Sequence, residues 1–245
     1  MAEIYSNDSL KIIQDKNNKT IYKIDFFYKN IALIRSLIKT RLIQGGTSTD
    51  DYSSLRFKAL SVTSFSKYKE EYKMERGSSK LSINIVAKLI SDLTKQLNYL
   101  IKNENSTILG YNEDNIIVIN GETFVFLGSD LINDINEVTD TNEEKEMVMI
   151  SRPFTYKDFF IAPELFKINE LPSYVHFKVA YFSLGCLVLY TLFSDDRFYT
   201  EYLKHQHSEK IQEYLDSHHI KNTKLYWLLS RCLVEDPKNR SILFI

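Results

Sequence analysis

The stretch Asn115-Ile116-Ile117-Val118-Ile119-Asn120-Gly121-Glu122-Thr123-Phe124-Val125-Phe126-Leu127-Gly128-Ser129-Asp130 decides the fold. Two runs of β-branched and aromatic residues flank Asn120-Gly121. Asn-Gly accepts the positive φ angles of a tight turn, so the stretch is expected to form a β-hairpin. Upstream, apolar residues at 86, 89, 90, 93, 97, 100 and 101 have the spacing of a helix with one buried face over Leu81–Ile101. Downstream, Asp130–Glu146 holds seven acids and one lysine, the composition of a mobile, solvated loop.

Further out, Leu10–Ile24 reads as two short strands around an Asn-rich turn. Ile31–Ile43 has helical spacing, with Gly45-Gly46 as the expected C-terminal cap. Leu55–Val62 is strand-like, and the polar Tyr68–Ser79 reads as a linker. Val179–Phe193 is apolar almost all round, as a buried helix is, and Leu225–Leu233 is a second apolar helix ended by Glu235-Asp236-Pro237. All four prolines lie at or after Pro153, so the two halves are built differently.

The 245 residues are 44% hydrophobic and 26% charged, ordinary for a chain that buries a sizeable core. The seven glycines are Gly45, Gly46, Gly77, Gly110, Gly121, Gly128 and Gly185, and no six-residue window holds three of them. That excludes the glycine-rich loops that cradle nucleotide phosphates. Residues 11–104 carry 18 Lys or Arg against 9 Asp or Glu, and residues 105–245 carry 13 against 21. A basic face complementing an acidic neighbour in the same fold explains that split most simply. Cys186 and Cys232 sit in apolar surroundings and read as buried thiols. The polar start Met1–Leu10 does not resemble a signal peptide, and the longest apolar run, within Val179–Phe193, is too short for a bilayer. A reducing, aqueous compartment, the cytoplasm, is the expectation, with no membrane contact.

A long helix, a loop ending in Asn115, a hairpin, Ala162-Pro163-Glu164, a buried helix containing Ser183-Leu184-Gly185, and Asp236-Pro237-Lys238-Asn239-Arg240 follow one another. That order resembles the C-terminal lobe of the protein kinases, from Leu81 to the end. The stretch Leu171–His176 is also similar to the divergent kinase-like proteins of large DNA viruses, for which host cytoplasm or virion would be the location. The resemblance implies an α+β, two-lobed protein kinase-like fold. A reduced mixed α/β N-terminal lobe would occupy 1–80 and a mainly α-helical C-terminal lobe 81–245. Ala162, Pro163, Glu164, Gly185 and Arg240 would be structural, with Glu164 and Arg240 forming a buried ion pair.

The residues that carry phosphoryl transfer do not match. A kinase places its catalytic Asp five residues before the loop Asn, and that position is Gly110. Glu113 and Asp114 lie nearby as surrogates. The metal-ligand position of Asp-Phe-Gly falls on Gly128; a register shifted by two would put Asp130 there. Lys23 precedes the Ile31–Ile43 helix as a nucleotide lysine would, but Phe26–Ile43 offers it no Glu partner. The Asp that braces the catalytic loop would be at Ala180.

The leading expectation is therefore a catalytically inactive pseudokinase that acts as a binding or regulatory scaffold for a protein partner. The alternative is a divergent Ser/Thr kinase that uses Asp114 and Asp130, with ATP and Mg²⁺ held through Lys23 and Asn115. His205, His207, His218 and His219 lack cysteine or carboxylate partners at metal-ligand spacing, so no metal site is expected. Lys67–Lys73 reads as solvated linker in preference to a nucleic-acid contact.

Overall fold

The structure is a computed structural model and describes residues 2–78, 80–140, 143–153, 160–193, 208–217 and 219–242. It is a mixed α+β chain with antiparallel sheets. Its contacts divide into two compact units, one of residues 1–106 and 112–132 and one of residues 107–111 and 133–245.

The first unit opens with β1 (Ala2–Ser6), β2 (Leu10–Gln14) and β3 (Ile21–Phe26), then α1 (Ile31–Lys39), β4 (Thr47–Ser48) and β5 (Ser54–Lys58). The strands form one sheet in the order β1-β2-β3-β5-β4. Alternation along β3 buries Tyr22, Ile24 and Phe26 against Leu33, Ile34 and Leu37 of α1. The helix ends earlier than its glycines suggest. Thr40 Oγ1 donates to the Ser36 carbonyl at 2.5 Å, and Arg41 takes the left-handed conformation (φ 58°) that a glycine cap would have supplied. Gly45 (φ 61°) instead turns the chain toward β4.

Next come β6 (Val62–Ser64), α2 (Phe65–Arg76) and α3 (Ile83–Glu104). The segment expected to be a linker is thus a helix. Ser64 Oγ caps its start and Gly77, in the left-handed region, closes its end. Only Phe65 of its side chains is buried, so the sequence carries no apolar stripe. The long helix α3 matches its sequence pattern and packs in this first unit. β7 (Ser106–Ile108) and β8 (Gly110–Tyr111) follow, then the hairpin of β9 (Ile116–Ile119) and β10 (Thr123–Phe126). Asn120 (φ 56°) and Gly121 (φ 73°) form its turn, and β9 also pairs with β6.

In the second unit β11 (Ile132–Asp140) pairs with β12 (Glu143–Ile150), where a mobile loop was expected. Composition misled here because strand pairing rests on backbone groups that every residue carries. β13 (Phe160–Ile161) pairs with β8, and β14 (Ser173–His176) with β12, so this unit contains sheet beside its helices. Its helices among the described residues are α4 (Pro163–Phe166), α5 (Val179–Phe193), α6 (Ser208–Asp216) and α7 (Lys224–Cys232). α5 is buried nearly all round, and Cys186 and Cys232 are both buried free thiols. Gly185 permits close packing there: a Cβ would lie 3.0 Å from Leu233 Cδ2 and 3.1 Å from Cys232 Cβ. No helix among the described residues is long and apolar enough to cross a membrane.

Candidate functional site

Helix α3 sets the hairpin in place. Strand β10 is an edge of its sheet, and its outward backbone groups would otherwise lack partners. Asp92 and Gln96, one helical turn apart, supply them. Asp92 Oδ2 accepts the Phe124 N–H at 3.0 Å, and Gln96 Oε1 accepts the Phe126 N–H at 3.1 Å. Gln96 Nε2 donates to the Phe126 carbonyl at 2.9 Å. Both side chains are buried polar groups inside the helix's apolar stripe.

The frame fixes Asn115 just before β9. Asn112 Oδ1 caps a single 3-10 turn over Glu113–Asn115, and the Asn115 carbonyl accepts the Leu127 N–H at 2.7 Å. Asn115 is buried. Its side-chain oxygen is occupied: Asn7 Nδ2 donates to it at 3.2 Å and to the Asp114 carbonyl at 3.0 Å. Asn7 lies in the turn between β1 and β2, where Asn7 Oδ1 accepts the Ser9 and Leu10 N–H groups at 2.9 and 3.0 Å. One asparagine therefore shapes the turn with its oxygen and clamps Asn115 with its nitrogen.

The same turn holds Asp130. Ser9 Oγ, itself buried, donates to Asp130 Oδ1 at 3.0 Å, and Tyr5 OH donates to the Asp114 carbonyl at 2.5 Å. Burial raises the Tyr5 hydroxyl pKa and outweighs the hydrogen bond from Asn7, so it stays a donor. Asn30 Nδ2 donates to the Ser129 carbonyl at 3.2 Å, fixing the following turn. On the other flank Lys69 pairs with Glu113, and Ser66 Oγ donates to Asp114 Oδ1 at 3.3 Å. The two candidate carboxylates, Asp114 and Asp130, are thus tied to different partners.

At Gly128 the space for a side chain is filled. A Cβ there would lie 2.6 Å from Phe126 Cζ and 2.9 Å from Asn115 Nδ2. With φ at −71°, close approach and not backbone freedom requires glycine. A carboxylate at this position would displace the Phe126 ring or the Asn115 amide.

Lys23 does not join this site. On β3 it alternates with Tyr22 and Ile24, whose side chains enter the core that contains Ile117 and Val125. It therefore lies on the opposite face, and its ammonium pairs with Asp25 at 2.6 Å.

In the second unit, Arg240 and Glu164 form a two-point ion pair, Nη1 to Oε1 at 2.5 Å and Nη2 to Oε2 at 2.9 Å. Arg240 is fully buried. It also donates to the Val234 and Glu235 carbonyls, both at 2.7 Å, and lies over the Phe182 ring. Ala162 and Pro163, both buried, lead into α4 and present Glu164. Gly110 lies in β8 opposite Ile161. Ala180 is buried without a polar group, and Ser183 Oγ reaches the Leu109 carbonyl at 3.3 Å. Burial pushes the Cys232 thiol up to about 12, so it is not a thiolate nucleophile. His205, His207 and His218 lie outside the described residues, and His219 is exposed. Among the described residues no group of three or more His, Cys, Asp or Glu is placed to hold a metal ion.

Sequence reasoning missed Tyr5, Asn7 and Ser9. The Asn-x-Ser spacing in a polar turn was their only local signal, and their partners lie over 100 residues away. No protein-family model matches the chain, and no curated protein matches it in sequence.

Proposed function

We propose that this chain is a protein kinase-like protein without catalytic activity, a pseudokinase that works as a binding or regulatory scaffold. One observation carries the reading: the β1–β2 turn hydrogen-bonds both residues that a kinase would leave free for metal and nucleotide. Asn7 occupies Asn115 Oδ1, and Ser9 occupies one oxygen of Asp130. Phosphoryl transfer needs those oxygens on Mg²⁺ and a carboxylate on the attacking hydroxyl. Gly110 supplies no carboxylate, and Gly128 has no room for one. The placement of Lys23 against Asp25 removes the remaining phosphate contact.

The kinase-like part of the reading is supported by the Glu164–Arg240 pair and by the order of α3, hairpin, α4 and α5. Neither feature serves chemistry; both hold the polypeptide in shape. A chain that keeps such features and blocks its reaction centre is suited to presenting surfaces to a protein partner.

Thermal denaturation with ATP, in the presence and absence of Mg²⁺, tests the proposal. The expected result is an unchanged melting temperature under both conditions. A Mg²⁺-dependent rise that is lost in Asp130→Asn, together with autophosphorylation, overturns it and assigns the chain to the active Ser/Thr kinases.

A further inference from the structure

The outer face of the five-stranded sheet carries a basic array that the site above does not use. Cross-strand register places Ile13, Lys23, Arg56 and Thr47 in one row, Lys11, Asp25 and Ser54 in the next, and Ile21 beside Lys58. Both acids on this face are consumed locally, Glu3 by Lys11 at 2.8 Å and Asp25 by Lys23 at 2.6 Å. Arg56 and Lys58 on β5, with Lys16 and Lys19 in the adjoining β2–β3 turn, are exposed. Asp15 lies near Arg56, but its carboxylate accepts the Asn17 and Asn18 N–H groups at 2.8 and 3.2 Å. The result is a cationic corner with half-buried Ile13 and Ile21 between the charges.

The aromatic residues of β3 and β5 point the other way. Tyr22 and Phe57 stack on each other in the core. Within β2, β3 and β5 no ring lies among these charges, and exposed Phe27 and Tyr28 follow the end of β3 away from Lys58. The corner gives nucleic-acid bases little to stack on, and carboxylates are the better complement. The chain carries that complement itself. Residues 105–245 hold 21 acids against 13 cations, and Glu146 and Glu170 are exposed. Each copy thus carries a cationic corner and an excess of acids in its second half.

We infer that this face docks the acidic half of a second copy of the chain, giving a salt-sensitive self-association. Screening sets its range: exposed charges attract over ~10 Å at ~0.1 M salt and over ~3 Å at ~1 M. Sedimentation velocity of the full chain tests it. The wild type should associate with rising concentration at ~0.05 M salt and revert to monomer at ~0.5 M. Arg56→Glu with Lys58→Glu should remain monomeric at low salt with an unchanged melting temperature. Lys16→Glu with Lys19→Glu, placed in a turn, tests the same corner without touching a strand. A wild type that stays monomeric at low salt overturns the inference, as does association that survives both double variants. Lower melting without a change in mass in both double variants overturns it too, because the acids then act within one chain. Salt-sensitive binding of a short oligouridine to a monomeric wild type, lost in both double variants, reassigns the face to nucleic acid. None of these results depends on nucleotide binding at Asn115.

Discussion

Gln96 brackets Phe126 at both of its backbone polar groups: the side-chain oxygen takes the N–H at 3.1 Å and the nitrogen gives to the carbonyl at 2.9 Å. A third bond runs from Gln96 Nε2 to Ser36 Oγ at 3.3 Å, joining α1 to the same helix. Leucine in place of Gln96 would keep the volume and strand two buried backbone groups. Each stranded group costs ~1–3 kcal/mol, so Gln96→Leu should lower stability by ~2–6 kcal/mol in urea unfolding. Gln96→Glu should cost less at low pH than at neutral pH, because only the protonated acid can donate to the carbonyl.

The Glu164–Arg240 pair predicts unequal single variants. Arg240→Met loses the pair, three carbonyl contacts and the Phe182 contact together, and strands the Glu164 carboxylate. Glu164→Gln leaves the guanidinium with its carbonyl partners and one of its two side-chain acceptors, and removes the counter-charge. Breaking one side of a buried pair costs ~3–5 kcal/mol, and Arg240→Met should reach that range while Glu164→Gln stays below it. A double-mutant cycle by chemical denaturation measures the coupling, and a value near zero would remove the pair from the list of fold determinants.

Gly128→Ala tests the crowded approach behind the hairpin. Its methyl would lie 2.6 Å from Phe126 Cζ and 2.9 Å from Asn115 Nδ2, so one of them must move. Overpacking of this kind costs ~1–3 kcal/mol. Asn120 and Gly121 serve as the comparison, since Gly121→Ala meets no neighbour within 4 Å and is penalised only through its φ of 73°.

His176 gives a pH dependence. Its ring stacks on Phe177, and Nδ1 accepts the Lys178 N–H at 3.2 Å. Burial, then the positive charges of Lys178, Arg240 and Lys238, lowers its pKa from 6.5 to about 4, against the opposing pull of Glu164. The folded value lies below the unfolded one, so the unfolded chain takes up the proton first as pH falls. The contribution of His176 to stability should therefore decline as pH drops from 6.5 toward about 4 and change no further below that. In His176→Gln, thermal melting should show a shallower decline over that interval.

Much of the frame was legible because its signals are local. The alternation around Asn120-Gly121, the stripe of α3 and the apolar run of α5 each fix an element through neighbours a few residues apart. Helix α2 was not legible, since one buried phenylalanine and two caps hold a sequence that reads as solvated. The strands β11 and β12 were hidden by their acids, as backbone pairing leaves no trace in composition. Asn115, Glu164 and Arg240 could be picked out by order along the chain. Asn7 could not, because its meaning comes from a contact 108 residues away. Asp92 and Gln96 were visible only as polar interruptions in an apolar stripe, a pattern that solvent-facing residues also produce.

The bracketing of β10 by α3 has a consequence for handling the protein. β9 and β10 form the most concentrated run of β-branched and aromatic residues in the first unit, the type of segment that recruits other chains when its edge is open. With the Phe124 and Phe126 edge taken by Asp92 and Gln96, that recruitment is closed off in the folded state. Loss of either bracket should therefore show as insoluble material at expression temperature as well as a lower melting point of the soluble fraction.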